Sequence, residues 1–176
     1  MPNAVTHMLV AMVLVDVVRH HLLKTHHIKR WQFSTTWIFF VGFAALLPDV
    51  DLLIQWSTYW LTGTAWMYHG ALHQLYIPFV AFVLAVVFYY RKQKVFGYKH
   101  RSIALFFLLL GIGFFTHILL DCAVLGGYPL LPPFLGNGVC TKIIGDDPAA
   151  MPALDAFLFV LWLFYEQKRH KIRDII

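Results

Sequence analysis

Long apolar stretches alternate along the chain with short polar or basic connectors. Five stretches read as membrane spans, at residues 5–23, 35–47, 75–90, 103–120 and 153–165. A span needs about 20 apolar residues, so the second and fifth are short. Trp31, Trp37, Trp56 and Trp60 flank the second, as an interfacial aromatic belt does. The first stretch lacks a basic leader and a small-residue cleavage site, and is read as a retained span. The expected fold is an all-α bundle of about five transmembrane helices. It forms one membrane-embedded domain over residues 1–176, with a Pro- and Gly-rich outer loop at 122–152.

Composition strengthens that picture. Of 176 residues, 60% are hydrophobic and 13% charged, with a mean hydropathy of +0.66. A soluble domain carries about a quarter charged residues. A disordered tail, an ordinary soluble globule and a basic nucleic-acid-binding domain are excluded. The net charge of +5 has another origin. Arg19, Lys24, Lys29 and Arg30 follow the first span. Arg91, Lys92, Lys94, Lys99 and Arg101 join the third to the fourth, and Lys168, Arg169, Lys171 and Arg173 follow the fifth. These are 13 of the 14 Lys and Arg residues, and five spans put them all on one side. The positive-inside rule then predicts an outer N-terminus and a cytoplasmic C-terminus, with anionic lipid as a secondary partner.

A different chemistry gathers at the opposite ends. His7 opens the first span, Asp49 and Asp51 close the second, and His69 and His73 precede the third. His117 and Asp121 close the fourth, and Asp155 opens the fifth. Ionisable groups at membrane depth are costly and face partners or wet cavities. Clustered carboxylates repel unless a positive charge sits among them. No matching set of Lys or Arg is present there, and a divalent ion would supply the charge. Imidazole nitrogen and carboxylate oxygen suit zinc, with manganese or iron as alternatives. His117 and Asp121 lie one turn apart on a helix face, and His69 and His73 share that spacing. Pro48 is expected to break the second span. An extended Asp49-Val50-Asp51 would set both carboxylates on one side, where one could bridge two ions.

Taken singly, most of these residues have plainer readings. His7 or His69 alone suits an interfacial side chain, and Asp49 could cap the amphipathic stretch 52–61. Asp155 suits a cap of the fifth span equally well. Asp16, with Arg19 three residues on, reads as a local ion pair. Cys122 and Cys140, the only cysteines, fall on the outer side, where a disulfide can form.

Several strings then carry a resemblance. Met1-Pro2-Asn3-Ala4-Val5-Thr6-His7, Leu47-Pro48-Asp49-Val50-Asp51, His69-Gly70-Ala71-Leu72-His73 and Thr116-His117-Ile118-Leu119-Leu120-Asp121 resemble the YdjM-type family. Gly127-Tyr128-Pro129-Leu130-Leu131-Pro132-Pro133-Phe134 is similar to that family's next segment. These are inner-membrane proteins regarded as metal-dependent hydrolases. The family usually shows His-Arg-Gly-x-x-His-Ser. Here the Arg is missing, Gln74 follows the second His, and the spacing is four. The family is distantly similar to zinc-dependent phospholipase C and related single-strand-specific nucleases. His117 and Asp121 match their His-x-x-x-Asp pair, and Asp49 or Asp51 would match a bridging Asp.

The resemblance and the residues together imply a hydrolase of the prokaryotic inner membrane. Its metal ligands would be His7, Asp49, Asp51, His69, His73, His117 and Asp121, holding one to three ions, zinc foremost. Asp51 and His73 are the candidate catalytic groups. Activated water would attack a lipid-like phosphoester at the outer face, ahead of a carboxyl ester or amide. Membrane lipid would thus be both environment and substrate, and no nucleic-acid partner is expected. The alternative is a divalent-metal transporter or a metal-binding membrane protein without hydrolase activity. A haem carrier is a third reading, which the carboxylates disfavour.

Overall fold

The computed structural model describes residues 4–25, 33–64, 72–91, 100–125 and 150–170. Among them it has six α-helices and no strand: α1 (Ala4–Thr25), α2 (Thr35–Ala44), α3 (Val50–Thr62), α4 (Tyr76–Tyr90), α5 (His100–Leu125) and α6 (Ala150–His170). Three helical stretches are long and apolar enough to cross a membrane: Ala4–Thr25, Thr35–Thr62 and Arg101–Ala123. Tyr76–Tyr90 and Pro152–Tyr165 are shorter apolar helices.

Side-chain contacts set the directions of the helices. Arg19, late in α1, donates from Nε to the carbonyl of Phe33, ahead of α2, at 2.7 Å. His117, late in α5, meets the carbonyl of Ala45, just after α2. Phe88 stacks on Phe107 and Phe82 meets Phe115 edge-on, so α4 and α5 run antiparallel. Thr6, early in α1, donates to Asp155, early in α6. Hence α1, α4 and α6 start at one end of the bundle, and α2 and α5 finish there. This is the alternation that five spans require.

Lipid is as apolar as a leucine side chain, so helices in a bilayer associate through close packing. The core holds Ala11, Val15, Val41, Ala45 and Leu109 around Phe33. Gly113 marks the closest approach. A Cβ there would lie 2.6 Å from Ala44 Cβ and 2.8 Å from the Ala44 carbonyl carbon, so only glycine lets α5 sit this near the end of α2. Asp16 and Arg19 form the expected local pair, at 3.1 Å and both buried.

The expected break at Pro48 occurs, but its form differs. Pro48 has no N–H to extend the helical ladder. The chain tightens into a 3-10 turn over Leu47–Asp49, with Leu46 N–H bonded to Phe43 O and Asp49 N–H to Leu46 O. Asp49 is right-handed helical (φ −72°, ψ −5°) and α3 starts at the next residue. Asp49-Val50-Asp51 is therefore not extended. A helical path turns the two carboxylates to different neighbours instead of one common side.

Candidate metal centre

The 3-10 turn has a direct consequence for the site. Asp49 N–H bonds Leu46 O rather than Ala45 O, which leaves the Ala45 carbonyl for a side chain. His117 Nδ1 donates to it at 2.6 Å. Gly113, one turn before His117 on α5, allows the approach that makes this bond. The proton is thereby fixed on Nδ1, and Nε2 presents a lone pair.

His73 is held in the same way from another direction. It lies between α3 and α4, and its Nδ1 meets Asp51 Oδ2 at 3.3 Å. The same Asp51 oxygen accepts the Leu72 N–H at 3.2 Å. His73 Nε2 therefore also points inward, and it lies 3.0 Å from His117 Nε2. Two imidazole lone pairs facing each other at that distance repel unless a cation or proton stands between them.

Carboxylates flank this pair. Asp49 Oδ1 is 3.5 Å from both His73 Nε2 and His117 Nε2. Asp121 Oδ2 is 3.3 Å from His73 Nε2 and 3.2 Å from His117 Nε2. Asp121 Oδ1 is 3.5 Å from His7 Nε2, and the His7 ring stacks on His117 with centroids 3.8 Å apart. His7, Asp51, His73, His117 and Asp121 are all buried. The Asp49 side chain is 36% exposed, so the centre opens on that flank.

Among the described residues two donor groups result, His7 with His117 and Asp121, and Asp49 with His73 and His117. Their chemistry fits a borderline divalent ion. Tetrahedral zinc with bonds of about 2.0–2.2 Å spaces its ligands about 3.3–3.6 Å apart. The distances around the His73–His117 pair run from 3.0 to 3.5 Å. In the metal-free protein a proton takes the cation's place. Burial opposes a charge on His73. Hydrogen bonds to Asp121 and Asp49, with Asp51 nearby, outweigh burial and push its imidazole up to about 9.

The structure thus brings together His7, Asp49, His73, His117 and Asp121. Asp51 stands outside both donor groups, behind His73. It is fully buried, with Oδ2 against the outer nitrogen of His73. That place suits a residue that positions His73 better than the ligand or catalytic group expected from sequence. Asp155 lies one turn inside α6 and accepts the Thr6 hydroxyl, which ties α6 to α1 beside His7. It is neither a helix cap nor a member of the donor groups. Asp49 makes no side-chain capping bond to α3. His69 lies outside the described residues. Cys122 is disulfide-bonded, and Cys140, the chain's other cysteine, lies outside them.

Ala45 and Leu72 are the contributors that sequence reading misses. Both act through the backbone, which no residue type announces. Gly113, four residues before His117, was the available signal.

A family model described as YdjM inner membrane protein matches residues 1–172 of the chain. No curated protein and no solved structure matches it.

Proposed function

The chain belongs to the YdjM inner membrane protein family, and from that premise we propose that it is a membrane-embedded, metal-dependent hydrolase of a lipid-like phosphoester. One observation carries the reading. The Nε2 atoms of His73 and His117 face each other at 3.0 Å, each ring having its other nitrogen turned outward onto an oxygen. Imidazoles fixed by an outer carboxylate or carbonyl are how proteins prepare histidine ligands.

One ion would be held by these two nitrogens together with Asp49 and Asp121. Each Nε2 has a single lone pair and serves one ion only. A second ion would find only His7 and the far oxygen of Asp121 among the described residues. Donor type and spacing would suit zinc. When bound, it polarises a phosphoryl oxygen and lowers the pKa of water towards neutrality.

The chain's own groups do the rest. Asp51 and the Ala45 carbonyl orient the two imidazoles. Asp49, 36% exposed, marks the flank from which water reaches the centre. Burial of the other groups keeps bulk solvent out. The basic ends of the helices, at Lys24, Arg91, Arg101 and Lys168, lie opposite the centre, which supports a site at the outer face. That depth matches a lipid head group. A transport reading would need an acid available deeper in the bundle, and Asp16 is held there by Arg19.

The test is metal content by mass spectrometry on detergent-purified protein, beside His117→Ala/Asp121→Ala, followed by turnover of phospholipid and isoprenoid phosphoesters. Near-stoichiometric zinc lost in the folded variant, with turnover lost too, is expected. Metal-free protein after zinc loading refutes the centre. A loaded protein that hydrolyses none of these esters refutes the hydrolase reading.

A further inference from the structure

Among the described residues, α3 is a largely uncovered helix. Leu53 is 65% exposed, Trp56 67%, Tyr59 61%, Trp60 79% and Leu61 84%. Its polar residues fall mainly on one side, Ser57 being the exception. Asp51, Gln55, Thr58 and Thr62 follow one another at helical spacing and form a single stripe. Asp51 is buried, and Gln55 and Thr58 are half-buried. Leu53, Trp56 and Trp60 occupy the opposite face. The helix carries no Lys, Arg, His or Glu.

The level at which α3 begins decides what covers that face. From Arg101 to Asp121, α5 rises about 30 Å, which is about the thickness of the hydrocarbon layer. Asp121 and the metal centre therefore stand at the far boundary. α3 starts beside them, at the residue after Asp49, and is about 20 Å long. Continued outward, it would carry two tryptophans and three leucines into water. Turned back into the hydrocarbon, it would bring its last carbonyls and the polar Thr62-Gly63-Thr64 end into lipid, where unsatisfied backbone groups are costly. The left-handed Gly63 closes the helix with a bond from its N–H to Tyr59 O.

We infer that α3 is a bilayer-surface helix, lying in the plane of the membrane with Leu53, Trp56 and Trp60 inserted at the head-group boundary. Its partner is the phospholipid surface itself. Tryptophan and tyrosine favour this depth, and an amphipathic helix binds there through its apolar face. With no basic residues on α3, insertion requires no anionic lipid. α3 is thus not the second half of a 28-residue crossing from Thr35 to Thr62, although length and composition allow one. The 3-10 turn interrupts the stretch, and Asp49 and Asp51 sit where α3 begins. The surface helix and the open flank of the centre therefore meet at one level of the membrane. This assignment does not depend on which reaction the centre performs.

The test uses the full-length protein in phosphatidylcholine liposomes, with one cysteine at a time introduced as Leu53→Cys, Trp60→Cys or Leu61→Cys and spin-labelled. Cys122 is already in a disulfide. Collision rates with oxygen and with a water-soluble nickel chelate report depth. Labels at 53 and 60 at equal, interfacial depth are expected, unchanged when anionic lipid is added. A depth difference of about 10 Å between them, the rise of seven helical residues, overturns the proposal in favour of a membrane crossing. Nickel access equal to that of a free label overturns it in favour of an aqueous helix. Exclusion of both reagents overturns it in favour of a second copy of the chain on this face.

Discussion

Asp51→Asn separates the group that orients His73 from the groups that bind the ion. Asparagine keeps an oxygen of nearly the same shape, so the Leu72 N–H contact at 3.2 Å can survive. What is lost is the carboxylate's negative charge facing His73 Nδ1. Losses at such outer partners cost about 10–100-fold in metal affinity. The His73 Nδ1 to Asp51 Oδ2 distance of 3.3 Å is longer than the about 2.7–2.9 Å of a strong charge-assisted bond, which points to the lower end. The expected loss is about tenfold, or about 1.4 kcal/mol. The assay is zinc titration against a chelator of known affinity on detergent-purified protein, with the melting temperature measured alongside. His73→Ala serves as the variant that loses the ligand itself and should lose far more. Affinity within twofold of the parent, in a protein that melts normally, would show that Asp51 does not set the His73 ring. A loss equal to that of His73→Ala would make Asp51 a ligand and refute its place behind the imidazole.

Two further outcomes follow from the same geometry. Gly113→Ala drives a Cβ to 2.6 Å from Ala44 Cβ and 2.8 Å from the Ala44 carbonyl carbon, so α5 must move from α2. Overpacking of this kind costs about 1–3 kcal/mol, and the move also pulls His117 off Ala45. Thermal scanning and zinc titration should therefore fall together, and a stable variant with full zinc affinity would refute the close approach. In metal-free protein His73 is raised from 6.5 to about 9, so at neutral pH an incoming ion must displace its proton. Zinc affinity should rise about tenfold per pH unit from 7 towards 9 and level off above. Metal-free stability should run the other way, full below 6.5 and declining as pH passes 9. A flat titration in chelator-corrected buffers would contradict the proton on His73.

The apolar stretches and the one-sided Lys and Arg residues made the bundle legible before any coordinates. Hydropathy is local, and a lipid environment turns each long apolar stretch into a helix because backbone groups must be satisfied internally. The same logic marked His7, Asp49, Asp51, His69, His73, His117 and Asp121, plain enough taken singly but costly as a one-sided collection without a shared partner. Their convergence was a different matter. It follows from α1, α2 and α5 packing in register, through contacts between residues as far apart in sequence as Ala45 and His117.

What the sequence by itself determined was the membrane class, the alternation of helix directions and the pool of candidate ligands. These depend on residue type and order along the chain. Only the tertiary structure decided the division of labour within that pool. Asp49 and Asp51 are two residues apart and chemically identical. The 3-10 turn at Pro48 puts one on the open flank of the centre and the other behind His73. Gly113 and the freed Ala45 carbonyl then choose which nitrogen of His117 faces the site. Backbone hydrogen bonds made these choices, and residue type does not encode which carbonyl a turn will leave free.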